Sequence, residues 1–91
     1  MAEISKTVVI CNARGLHARA AAKFVKTCEG FNADVTVEKG GMRVDGCSIM
    51  DLMMLGASQD TEIKITATGA DADKVVESLA ALVCEKFGES E

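Results

Sequence analysis

Ala33-Asp34-Val35-Thr36-Val37-Glu38-Lys39-Gly40-Gly41-Met42-Arg43-Val44 decides the fold class. Ala33, Val35 and Val37 fall on one side of the run, and Asp34, Thr36 and Glu38 on the other. That period-two pattern is a strand with one dry face. Lys39-Gly40-Gly41 reads as a hairpin turn, and Met42-Arg43-Val44 as a short return strand. A strand wet on one face suits an antiparallel sheet, because parallel sheets are covered by helices on both faces.

The same alternation recurs at 62–68, with Ile63, Ile65 and Ala67 facing inward and Gly69 as the breaker. Upstream, the β-branched run Thr7 to Cys11 reads as the first strand, and Asn12-Ala13-Arg14-Gly15 as a turn. A helix is expected from about His17 to Glu29, where Ala21, Phe24, Val25 and Cys28 form one apolar stripe. Gly30 should close it in a left-handed cap. Ser48 should cap a short helix from Ile49 to about Leu55, closed by Gly56. Asp71 should cap the last helix, from Ala72 to about Lys86, with Val75, Val76, Leu79, Leu82, Val83 and Phe87 as its buried stripe. The order β-α-β-β-α-β-α predicts an α+β fold: a four-stranded antiparallel sheet with three helices layered on one face.

Composition bounds the function. A chain of 91 residues is read as one domain, 1–91. With 48% hydrophobic and 26% charged residues, it has the composition of a globular protein rather than a disordered one. Ten Lys and Arg against 14 Asp and Glu leave a net charge of −4, and the only aromatics are Phe24, Phe31 and Phe87. Both features speak against a general nucleic-acid binder, which needs a cationic face and stacking rings. The longest apolar run is six residues, Leu79 to Cys84, against about 20 needed to span a bilayer. Met1 to Lys6 has no basic start leading into an apolar stretch, so no secretory signal is expected, and the cytosol is the expected compartment. There Cys11, Cys28, Cys47 and Cys84 read as thiols, acting as small buried hydrophobes. Without a Cys-x-x-Cys pair, no metal site is expected.

His17 is the sole histidine and stands where the first helix begins. The opening turn of a helix carries amides without internal partners, and its macrodipole is positive. That end favours a neutral imidazole with a free lone pair. Arg19 adds a fixed cation two residues on. Together they could let an imidazole accept a phosphoryl group whose oxygens are held by amides and guanidinium. The bland alternative is a surface histidine capping a helix, and His, Arg and Gly in proximity do not by themselves decide between the two.

Gly15-Leu16-His17-Ala18-Arg19-Ala20-Ala21-Ala22-Lys23-Phe24-Val25 resembles the active-site signature of HPr, the histidine-containing phosphocarrier family of the bacterial phosphoenolpyruvate-dependent phosphotransferase system. Cys47-Ser48-Ile49-Met50-Asp51-Leu52-Met53-Met54-Leu55-Gly56 is similar to that family's regulatory-serine segment, in matching register. The resemblance runs from about Ser5 to Lys86. It implies an open-faced β-sandwich and a monomeric carrier rather than an enzyme, without cofactor or metal. His17 would accept phosphate on Nδ1 from the phosphohistidine of enzyme I and pass it to a histidine of an enzyme IIA domain. Arg19 would steady the phosphoryl group. Ser48 matches the serine modified by HPr kinase/phosphorylase in some bacteria.

Two positions depart from the family pattern. Ala20 stands where proline usually follows the arginine, which should loosen the turn by ~0.4–1 kcal/mol and free one amide. Asp51 stands where members often carry a neutral or basic residue. On the second helix, Leu52 and Leu55 suit the core, whereas Ile49, Met50 and Met53 are expected to form an apolar docking patch beside His17. Arg19, Lys23 and Lys26 would ring that patch with positive charge and suit acidic partners. The other readings are a carrier of the nitrogen-related regulatory branch, a non-catalytic regulatory paralogue working through Ser48, and a small ligand-binding sensor domain. A paralogue of that kind would have lost the histidine, and a sensor would need a constellation of convergent polar groups that the sequence lacks.

Overall fold

Gly40 and Gly41, with φ of 55° and 86°, make a two-residue turn that only glycine adopts without strain at both positions. It fixes the register of the hairpin, pairing Lys39 with Met42 and Val37 with Val44. The computed structural model describes residues 3–89. Its elements are β1 (Glu3–Val9), α1 (Ala18–Glu29), β2 (Asp34–Lys39), β3 (Met42–Asp45), α2 (Ile49–Met54), β4 (Glu62–Thr68) and α3 (Ala72–Cys84), followed by a 3-10 turn at Lys86–Gly88. The sheet order is β1-β4-β2-β3, antiparallel throughout. The predicted four-stranded sheet with three helices on one face is therefore the fold.

Alternation does the sorting. Val35 and Val37 of β2 and Ile63, Ile65 and Ala67 of β4 are all buried. They meet Phe24 and Val25 of α1, Leu52 of α2, and Val75, Leu79 and Val83 of α3. Each fully buried Leu or Phe side chain contributes ~1.5–3 kcal/mol relative to exposure. On the opposite face, Ser5 and Thr66 hydroxyls hydrogen-bond at 3.1 Å.

Several local expectations are corrected. The first strand begins at Glu3 and gives way after Val9. Gly30 caps α1 in a right-handed conformation, φ −78° and ψ −3°. The helix exits through tightened bonds from Gly30 N–H to the Thr27 carbonyl and from Phe31 N–H to the Cys28 carbonyl, so no left-handed residue is needed. Asp71 precedes α3 without capping it through its side chain. Its carboxylate instead accepts from Asn32 N–H at 2.8 Å, and its own N–H donates to the Asn32 carbonyl at 3.1 Å. That reciprocal pair ties the α1–β2 loop to the start of α3. The last helix stops at Cys84, and Lys86 and Phe87 turn left-handed, with φ of 58° and 55°. Phe87 is wholly buried, but it reaches the core from this separate turn. Of the thiols, only Cys28 is buried, and Cys47 and Cys84 are exposed.

Candidate functional site

The approach to His17 is built from backbone. Ile10 extends the β1 side, donating to the Thr61 carbonyl at 2.9 Å and accepting from Asp60 N–H at 2.7 Å. The chain then turns at Asn12, whose carbonyl accepts from Gly15 N–H at 3.1 Å and whose side-chain amide donates to the Gly15 carbonyl at 2.8 Å. Gly15 has φ 69°, and Leu16 N–H donates to the Ala57 carbonyl at 2.8 Å. This loop is thus fastened to the segment that follows α2.

His17 is delivered in an extended conformation as the N-cap of α1. Its Nδ1 accepts from Arg19 N–H at 3.2 Å. The first intrahelical bond runs from Ala21 N–H to the His17 carbonyl at 2.8 Å, so the amides of Ala18, Arg19 and Ala20 precede the ladder. His17 Nε2 meets Glu89 Oε2, and the other carboxylate oxygen, Oε1, accepts from Asn12 Nδ2 at 3.0 Å. A ring nitrogen that accepts from an amide carries no hydrogen, so the neutral ring assigned by this network holds its proton on Nε2. The hydrogen bond from His17, followed by that from Asn12, holds the Glu89 carboxyl below the usual carboxylate range. The His17 side chain keeps 23% of its surface exposed.

The other predicted residues lie on α1, on α2 or at the start of α2. Arg19 is exposed, and its guanidinium forms no ion pair among the described residues. Lys26 is exposed on the same helix. Lys23 is exposed but engaged, its ammonium donating to the Phe87 carbonyl at 2.5 Å. Ser48 caps α2, its Oγ accepting from Asp51 N–H at 3.3 Å. On that helix Leu52 is buried, whereas Ile49, Met50 and Met53 are exposed, as is Met54. Helices α1 and α2 pack against each other. No cluster of three metal-ligating side chains occurs among the described residues, and no helix there is long and apolar enough to cross a membrane.

Two participants were missed from sequence. Asn12 was read only as a turn residue, yet it is fully buried and links Gly15 to Glu89. Glu89 lies 72 residues from His17, and no local pattern signals their meeting. Distance in sequence also hid the surroundings of a thiol, since the buried Cys28 Sγ donates to the Gly46 carbonyl at 3.5 Å, next to Cys47 in the chain. Burial first, then Cys47, pushes the Cys28 thiol up to about 12.

Comparison with known proteins identifies the class. Residues 4–85 match the family model of the phosphorylation site of the HPr component of the phosphotransferase system. The chain is 42% identical over 88 residues to the phosphocarrier protein HPr of Neisseria meningitidis, covering 97% of this chain and 99% of that protein. It is 36% identical over 90 residues to the phosphocarrier protein NPr of Shewanella violacea, covering 99% of each. The crystal structure of HPr-C-His from Thermoanaerobacter tengcongensis superposes with a TM-score of 0.90 at 42% identity, covering all of both chains. The fold and these matches define a phosphoryl carrier rather than an enzyme. The chain belongs to the HPr family of the phosphotransferase system.

Proposed function

We propose that residues 1–91 act as one monomeric, cytosolic phosphocarrier domain that takes a phosphoryl group from phospho-enzyme I onto His17 Nδ1 and passes it to a histidine of an enzyme IIA domain. The observation that carries this reading is the bond from Arg19 N–H to His17 Nδ1. It means that the lone pair of Nδ1 faces the amide-rich, positive end of α1.

The chemistry follows from that placement. The Nδ1 lone pair attacks phosphorus in line, a new N–P bond forms, and the N–P bond to the donor's imidazole breaks. The incoming phosphoryl oxygens take over the Arg19 amide, and those of Ala18 and Ala20 lie within the same turn. Ala20 offers an N–H where proline would have none. The exposed Arg19 guanidinium adds a charge-assisted partner. No cofactor or metal is required. Transfer onward reverses the step.

Ile49, Met50 and Met53, with Lys23 and Lys26 at the rim, form the docking surface for both protein partners. Flexible thioethers suit a surface that must fit more than one partner. Where an HPr kinase/phosphorylase is present, Ser48 is its target. A phosphate there is compatible with the helix N-terminus, yet it sets roughly 1.5–2 negative charges beside the apolar patch.

Incubation with enzyme I and phosphoenolpyruvate, followed by intact-mass measurement, tests the carrier reading. One acid-labile phosphate per chain is expected, absent in His17→Ala. An acid-stable adduct on another residue overturns it.

A further inference from the structure

We infer that Glu89 is a positioning residue for phosphoryl transfer: it holds the proton of His17 on Nε2 and thereby keeps Nδ1 free as the nucleophile. This rests on the reading of His17 as the acceptor.

The carboxylate is held by two side chains and by the backbone that carries it. Oε2 faces His17 Nε2, and Oε1 accepts from the buried Asn12 amide at 3.0 Å. Asn12 is itself fixed by its bond to the Gly15 carbonyl. The chain leading to Glu89 is anchored by Phe87, which is wholly buried, and by the Lys23 ammonium on the Phe87 carbonyl. Gly88, with φ 78°, then turns the backbone toward the ring, and Glu89 N–H donates to the Lys86 carbonyl at 2.9 Å. A core residue, a strap and a buried amide therefore aim one carboxylate at one imidazole nitrogen.

A neutral imidazole divides its proton between two nitrogens, and only the form bare at Nδ1 can attack through that atom. Two contacts select this form, the Arg19 amide on Nδ1 and the Glu89 carboxylate on Nε2. The carboxylate also serves after transfer. When the Nδ1 lone pair forms the N–P bond, Nε2 keeps its proton and the ring becomes positive. Glu89 faces that charge, and when the phosphoryl group departs the ring leaves as neutral imidazole rather than imidazolate. The other charged groups around the site are the cations Arg14, Arg19 and Lys23, so Glu89 is the anion facing Nε2 among the described residues.

Because His17 is the only histidine, its ring nitrogens can be followed alone by nitrogen-15 NMR. In wild type, the Nε2–H tautomer is expected to dominate. In Glu89→Ala, the population should move toward Nδ1–H, and phosphorylation by enzyme I should slow by about 10-fold. Glu89→Gln offers one acceptor oxygen to two donors and should fall between. An unchanged tautomer in Glu89→Ala overturns the inference, whatever happens to the rate. An unchanged rate with a shifted tautomer overturns the claimed consequence. Failure of wild type to be phosphorylated on His17 overturns the carrier reading instead, and the NMR measurement still reports on Glu89.

Discussion

Gly15 meets Ala57 backbone to backbone: a Cβ on Gly15 would stand 2.5 Å from the Ala57 carbonyl oxygen and 2.8 Å from Ser58 Cα. With φ at 69°, the position resists a side chain on conformational grounds as well. Gly15→Ala is therefore expected to destabilise the fold by about 2–4 kcal/mol. Urea denaturation measures this. A loss under ~1 kcal/mol would show that the Ala57–Ser58 segment yields easily and does not clamp the loop ahead of His17.

Ser48 separates capping from docking. Its Oγ accepts from Asp51 N–H, so Ser48→Ala should cost about 1 kcal/mol, whereas Ser48→Asp retains a capping oxygen and most of the stability. The aspartate also places a charge at the edge of Ile49, Met50 and Met53, all exposed. Affinity for enzyme I, measured by titration calorimetry, should fall several-fold in Ser48→Asp and change little in Ser48→Ala. Equal affinities in the two variants would remove the electrostatic account of regulation.

The thiols should react in an order set by burial. Cys84 is exposed, Cys47 is exposed but has its thiol pushed up chiefly by desolvation, and Cys28 is buried with its thiol at about 12. Alkylation near pH 8 followed by peptide mapping is expected to modify Cys84 first and Cys47 next. Cys28 should lag by roughly 100-fold, because it reacts only through local opening. The raised folded-state value also has a sign for stability. The contribution of a buried neutral thiol is fully present below its unfolded value of about 8.5 and declines as pH rises toward about 12. Cys28→Ala should lose that alkaline component of the unfolding curve.

The period-two runs at 33–38 and 62–68 made the sheet legible, because alternation is a local property that burial then enforces. The cap positions of His17 and Ser48 were legible for a related reason, since a helix start is marked by adjacent residues, whereas the roles expected of both rested on the family resemblance. The conformation of Gly30 was misread because i→i−3 bonds competed with a left-handed cap, and propensity alone cannot rank the two. Asp71 lost its capping role to Asn32, a partner 39 residues away. Glu89 was illegible for the same reason on a longer scale. Its meeting with His17 depends on Phe87 entering the core from a left-handed turn, and only the packed fold specifies that.

Acid should uncouple the carboxylate from its two donors. The folded-state value of Glu89 is lowered by the hydrogen bonds from His17 and then from Asn12. For a depressed carboxylate, the linked stability is present above the unfolded value of about 4.3 and is lost as pH falls through the folded value. The stability difference between wild type and Glu89→Gln, read from denaturation midpoints, should therefore be flat near neutrality and shrink below about pH 5. A stability difference that stays constant from neutral pH down to pH 3 would mean that the carboxylate is equally solvated in the folded and unfolded chains. The strap through Phe87 and Lys23 would then hold the tail without holding the ring.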